Sequence, residues 1–346
     1  MPSIPTVSAA TGAAPPPPPA SAVVEDIHGF LRVLADGTVL RSASGPAFCP
    51  ATFPDSHPSV QWKEAVYDKA KSLRVRMYKP AASGNNNKLP VLVHFHGGGF
   101  CLGSCTWANV HAFCLRLAAG AGAVVLSAGY RLAPEHRLPA AFDDGAGFLR
   151  WLRDQAAADS WLADAADFSR VFVTGDSAGG TIAHHLAVRA GEVDIDLDTV
   201  AVRGYVLLMP FFGGERRTRS EAECPAEVLL NLDLFDRFWR LSLPAGATRD
   251  HPAANPFGPE SPDFAALEFR RPVLVVAGGL DMMRDRAVEY AERLAAMGKP
   301  VELAEFAGEP HGFYTLDPGS EATGELIGLV SRFVQRAASA VASEAD

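Results

Sequence analysis

Two hydrophobic rhythms alternate along this chain. Short, near-continuous apolar runs at 91–96, 123–128, 170–174, 203–209, 273–277 and 301–306 predict strands buried on both faces. Between most of them, apolar positions recur at helical spacing and predict helices over 107–119, 139–157, 178–190, 283–297 and 320–341. Such alternation predicts the α/β class, a mainly parallel central sheet flanked by helices on both faces. Upstream, 27–33 and 38–42 flank the turn signal Ala35-Asp36-Gly37 and predict a hairpin, and 73–79 alternates as a further strand. Residues 43–60 read as loop or short helix, and 83–88 as a polar turn. The rhythm breaks between 212 and 273, where a charged loop (215–223) precedes an amphipathic helix around 229–241. Leu234, Phe235, Phe238 and Trp239 share one face of that helix. Two readings stay open for it: packing on the core, or a lid that gives a substrate pocket an apolar wall.

Length and composition narrow the picture. A chain of 346 residues with 48% hydrophobic content suits one large α/β domain, here 23–346, behind a tail at 1–22. That tail is rich in Ala, Pro, Ser and Thr and has Pro15 to Pro19 in succession, so flexible or polyproline-type backbone is expected. It has neither the basic and apolar regions of a signal peptide nor the arginines of a transit peptide, so a cytoplasmic protein with access to the nucleus is expected. A net charge of −9 without any dense Lys/Arg run argues against nucleic acid and against a polybasic membrane anchor. The five cysteines lack zinc-type spacing and fit free thiols.

The candidate chemistry starts at Gly175-Asp176-Ser177-Ala178-Gly179, a G-x-S-x-G pentapeptide between a strand and a helix. In that context it is a nucleophile elbow, which lifts the serine hydroxyl above the sheet. Acyl transfer also needs a base, a group to orient the base, and donors for the developing oxyanion. Asp281 follows the strand at 273–277 after a Gly-Gly turn, and His311 follows the strand at 301–306. The order Ser, Asp, His is that of α/β-hydrolases. The loop His96-Gly97-Gly98-Gly99-Phe100 follows an early strand and matches the glycine loop that, with the N–H of Ala178, forms an oxyanion hole. Which of Gly97, Gly98 and Gly99 donate stays open.

Singly, each feature has a blander account: an Asp after a strand is usually a cap, a loop His is usually solvated, and a glycine run is usually a flexible loop. All of them in the required chain order, each after the right strand, favours catalysis. Phe100, Phe235, Phe238, Trp239 and Phe313 are candidates for the substrate pocket. His94 and His96 alternate on a strand but have no third ligand at recognisable spacing, which argues against zinc. His96 instead reads as a brace for the glycine loop. His184 and His185 read as packing or surface residues, and Asp176 as a structural hydrogen-bonding group beside the nucleophile. Asp285 with Arg284 and Arg286 reads as a charged helix start, and Asp143 and Asp144 as part of a helix or salt-bridge network. The chemistry calls for no metal and no cofactor.

His96 to Phe100, Tyr130-Arg-Leu-Ala-Pro-Glu135, Gly175 to Gly180, Asp281 and His311 resemble the hormone-sensitive-lipase-like carboxylesterases, in the version found in plant carboxylesterases and gibberellin receptors. The resemblance implies a lid drawn from about 23–60 and 213–260. Stretches at 203–218 and 238–259 are similar to the carboxylesterase 15 type, which implies a strigolactone substrate. A broad-specificity esterase acting on xenobiotic or acyl esters is the second expectation. A hormone receptor is the competing class; gibberellin receptors lack the triad histidine, whereas this chain keeps His311 and Gly99. Dehydratases that resemble the same family can replace the nucleophilic serine by threonine, and Ser177 disfavours that alternative. The expected partner is a small ester or lactone, with no nucleic acid and no membrane, and a homodimer is compatible.

Overall fold

The computed structural model describes residues 19, 21–42, 53–81, 88–155, 158–192, 200–269 and 271–342. The tail expected at 1–22 therefore falls almost wholly outside the described residues, as do Cys49, residues 83–87 of the polar turn expected at 83–88 and residues 43–52 of the loop expected at 43–60.

The chain forms two compact units, residues 1–43 and 44–346. The first holds a three-stranded antiparallel sheet of β1 (Val23–Ile27), β2 (Leu31–Leu34) and β3 (Val39–Arg41). The hairpin around Ala35-Asp36-Gly37 is present, but the strand expected over 27–33 is two strands. His28 and Gly29 adopt φ of 49° and 74°, and that left-handed turn folds β1 back onto β2.

The second unit is built on eight strands in the order β11-β10-β9-β8-β6-β7-β5-β4. These are β4 (Val60–Asp68), β5 (Leu73–Pro80), β6 (Leu89–Phe95), β7 (Val124–Ala128), β8 (Ala166–Asp176), β9 (Val202–Leu208), β10 (Val273–Gly278) and β11 (Val301–Phe306). β5 pairs antiparallel with β4 and β7, and the remaining pairs are parallel. The unexpected member is β4. Its sequence, VQWKEAVYD, is only partly buried at the sheet edge and carries too many charges to read as a buried strand.

The period-two alternation of β6 sorts the helices. Leu92 lies in a core cluster with Phe113 and Leu117 of α1 (Ala108–Ala121) and Val330 and Phe333 of α9 (Glu321–Ala342). Phe95, of opposite parity, meets Phe148 of α2 (Ala140–Gln155) on the other face. There α2 packs on α4 (Ala178–Glu192), with Gly145 beside Ile182. The short α3 (Ser160–Ala163) precedes β8. The insertion after β9 carries α5 (Arg219–Ala222) and α6 (Leu232–Ser242); α7 (Arg284–Ala296) follows β10, and α8 (Phe313–Leu316) precedes α9. Among the described residues, no helix is long and apolar enough to cross a membrane.

Asp144 lies wholly buried in α2, and it is matched there. Arg131 grips it with two side-chain bonds of 2.8 and 2.9 Å and its own backbone N–H, and Lys71 adds a contact of 3.0 Å. Asp144→Ala leaves two cations without their shared anion. It is expected to cost about 3 kcal/mol, read as a lowered urea midpoint with an unchanged slope.

Candidate active site

β8 runs directly into Ser177, and the chain turns at once into α4. Ser177 holds φ at 52°, a left-handed conformation that strains an L-residue by ~1–3 kcal/mol. Backbone bonds fix it: Ser177 N donates to Leu208 O (2.9 Å), and its carbonyl accepts from Phe211 N (3.0 Å) and Thr181 N (3.1 Å). The turn also needs Gly179, because a Cβ there would sit 1.9 Å from the carbonyl oxygen of Phe95. With nothing in the way, α4 starts at Ala178 right behind the serine. The first N–H groups of a helix have no partner within it and carry partial positive charge.

Across from the serine, β6 ends in the glycine loop. A Cβ on Gly97 would lie 2.5 Å from Asp176 Oδ2 and 3.1 Å from Ser177 Cβ, so the backbone of Gly97 rests against the elbow itself. Gly98, Gly99 and Phe100 all have positive φ, at 116°, 58° and 62°. His96 braces the loop, as expected: its Nδ1–H donates to Gly97 O at 2.8 Å, and its ring stacks on Tyr130 at 4.4 Å. The Tyr130 hydroxyl in turn donates to His96 O at 2.7 Å. Burial pushes His96 down to about 4 against the opposing pull of the Gly97 carbonyl and Asp176, so its imidazole is neutral at physiological pH.

Asp281 and His311 meet on the same edge, where β10 and β11 end. Asp281 is buried; its Oδ1 accepts from Met283 N (2.9 Å) and its Oδ2 from His311 Nδ1 (2.7 Å). A carboxylate accepts only, so the proton resides on Nδ1 and Nε2 presents a lone pair. Burial alone would lower the pKa of His311. The charge of Asp281, the hydrogen bond to it and the charge of Asp176 outweigh that and raise it above 6.5. The two loops are tied together by Gly279 N to Phe306 O (2.8 Å) and Leu280 N to Glu309 O (3.1 Å).

The candidate pocket residues divide. Phe100, Phe235, Phe238 and Trp239 form a buried aromatic layer around Phe211, whose ring stacks on Trp239 at 4.4 Å and meets Phe235 at 5.2 Å. The ring of Phe238 lies directly over Gly99. Phe313 goes elsewhere. After the left-handed Gly312, its ring turns into the α1/α9 core against Phe306 and Tyr314. Phe211, which sequence reasoning passed over, is central to the layer and bonds Ser177 through its backbone. The one signal for it was its place just after β9.

The other singled-out residues are structural. His184 bonds the Tyr290 hydroxyl at 2.9 Å and His185 stacks on Phe142 at 3.8 Å. His94 Nε2 lies 3.3 Å from Asp176 Oδ1 beneath the elbow. Among the described residues, no group of three or more His, Cys, Asp or Glu side chains could hold a metal ion. What the edge assembles is a serine on a strained turn, an imidazole whose Nε2 presents a lone pair, a buried carboxylate and a glycine loop packed against the serine. That set can activate a hydroxyl and hold an oxyanion.

Comparison with known proteins agrees. The profile of the alpha/beta hydrolase fold family matches residues 92–315. The chain is 36% identical to Carboxylesterase 20 of Arabidopsis thaliana over 312 residues, covering 87% of this chain and 94% of that one. It is 40% identical to a gibberellin receptor of the same plant over 266 residues, covering 73% and 74%. An esterase from Pyrobaculum calidifontis superposes with a TM-score of 0.69 at 30% identity, over 82% of this chain and 87% of that one. With its sheet order, elbow and glycine loop, the chain belongs to the α/β-hydrolase fold family that includes plant carboxylesterases and gibberellin receptors.

Proposed function

We propose that this carboxylic ester hydrolase uses Ser177 as nucleophile, His311 as general base and acid, and Asp281 to orient the imidazole. The 2.7 Å bond from His311 Nδ1 to Asp281 carries the proposal, because it leaves Nε2 free to take a proton. Ser177 Oγ attacks the carbonyl carbon while its proton passes to Nε2. The oxyanion is held by Ala178 and by two of Gly97, Gly98 and Gly99. Gly97 lies against Ser177, and Phe238 covers Gly99, which favours Gly97 and Gly98. The tetrahedral intermediate collapses, the leaving alkoxide takes the proton from Nε2, and an acyl-enzyme remains. Water then gives a proton to Nε2 and attacks the acyl carbon, releasing the acid and free Ser177.

The proposed substrate is a small apolar ester or lactone, in keeping with the aromatic layer beside Gly99, and strigolactone is the specific proposal. Its support is the resemblance of 203–218 and 238–259 to the strigolactone-hydrolysing type. Turnover of assorted acyl esters is the second proposal. A receptor role is disfavoured by His311, which is present and bonded to Asp281. The proposed compartment is the cytoplasm, with access to the nucleus.

Ser177→Ala is expected to lower p-nitrophenyl acetate hydrolysis by more than about 10⁴-fold. If wild type proves as inert as the variant while binding a hormone tightly, the receptor class is correct. Loss of strigolactone from a mixture of candidate esters, followed with purified protein, tests the substrate; rapid turnover of simple esters beside untouched strigolactone would favour broad specificity. Gly97→Ala is expected to reduce kcat about 100-fold, because the new methyl displaces the elbow or the oxyanion loop. His311 must be neutral to act, so kcat/KM should fall as pH drops, with a midpoint above 6.5. Asp281→Asn removes the charge and the hydrogen bond that raise His311 and leaves burial opposed only by the charge of Asp176. The midpoint should then move down from its wild-type position as the rate falls about 10⁴-fold.

A further inference from the structure

The loop that follows Asp281 is gripped from the side by the root of the insertion. Ser220, in α5, donates its backbone N–H to Asp285 Oδ2 (2.8 Å) and its hydroxyl to Met282 O (2.7 Å), and it accepts from Asp285 N (3.3 Å). Its neighbour Glu221 is fully buried and receives both Nε and Nη2 of Arg286, the Nη2 bond at 3.0 Å. Arg286 also donates to the carbonyls of Gly213 (2.8 Å), Gly214 (3.2 Å) and Arg216 (3.0 Å). Thr218 and Glu221 form a capping box that fixes the turn. The charged start of α7, read from sequence as a helix terminus, is thus one half of an interface.

We propose that Ser220 and Glu221 are positioning residues for Asp281: they clamp the loop after the acid and hold its carboxylate against His311. The proposal rests on the triad assignment above. Its reasoning is geometric. Asp281 gets its second oxygen bonded by Met283 N, and Ser220 fixes the carbonyl of the intervening Met282. Any slip of α5 therefore moves the backbone that orients the carboxylate. The clamp also reaches the aromatic layer. Arg217 lies 3.9 Å from Glu221 and bonds Asp236 of α6 at 2.5 Å, and Asp236 takes Arg249 as well at 3.1 Å. One ion-pair network joins the helix beside the oxyanion loop to the loop bearing the acid. His311 is faced by two carboxylates, Asp281 from the clamped loop and Asp176 from the elbow, and only the first depends on the clamp.

The test compares Ser220→Ala, Ser220→Thr, Glu221→Gln and Asp281→Asn in the full chain, with p-nitrophenyl acetate across pH and a thermal melt of each. Ser220→Ala, a small change at a half-buried hydroxyl, should lower kcat roughly 10-fold with KM within about twofold. It should also move the acid limb of the pH profile down in the direction of Asp281→Asn, and Ser220→Thr should restore it. Glu221→Gln should shift the limb the same way. An acid limb that stays at its wild-type position in Ser220→Ala and Glu221→Gln, while Asp281→Asn moves it, overturns the clamp and leaves the triad standing. If Asp281→Asn itself keeps wild-type rate and profile, the triad assignment falls and takes the clamp with it.

Discussion

Everything at this site depends on two strand ends approaching more closely than side chains allow. β6 and β8 are neighbours in parallel register, with Phe95 level with Gly175. One strand then turns into the glycine loop and the other into the elbow. The approach is closed by Gly179 against the Phe95 carbonyl and by Gly97 against Asp176 and Ser177, where no Cβ fits. The strain of Ser177 persists because the surrounding backbone bonds over-determine it. In the proposed mechanism, distortion of the glycine loop and displacement of Ser177 are therefore not independent failures, since they share one contact.

The second constraint is electrostatic. A buried carboxylate needs compensation, and Asp281 gets it from one backbone N–H and one imidazole N–H. That same pairing settles the tautomer of His311 and makes it a stronger base than burial would permit. His96 shows the opposite outcome in the same region. It is buried with a carbonyl as partner, stays neutral, and serves only to stiffen the loop. Two histidines near one edge thus have different chemistry because one faces a carboxylate at hydrogen-bond distance and the other does not.

Legibility tracked local pattern. Buried parallel strands and long helices show in the apolar runs, since both faces of such a strand must be apolar. The edge strand β4 did not show, because Lys63, Glu64 and Asp68 interrupt its apolar positions as they would in a surface loop. Phe235, Phe238 and Trp239 share a helix face by their spacing, and with Phe100 they form one layer. Phe313 lies two residues after His311 in sequence, yet the left-handed Gly312 sends its ring into the other core. Spacing finds residues that share a face. It cannot say which way a side chain leaves a turn.

The sequence by itself determined the sheet-and-helix alternation, the elbow, the glycine loop and the order of Ser177, Asp281 and His311, because each is a local signal at a strand end. Tertiary structure alone decided what those residues touch. It placed Tyr130 under the glycine loop, Phe211 behind the serine and Arg286 on Glu221, across separations of 34, 34 and 65 residues in sequence. Contacts of that kind leave no periodic trace, because they depend on where the sheet brings distant loops together.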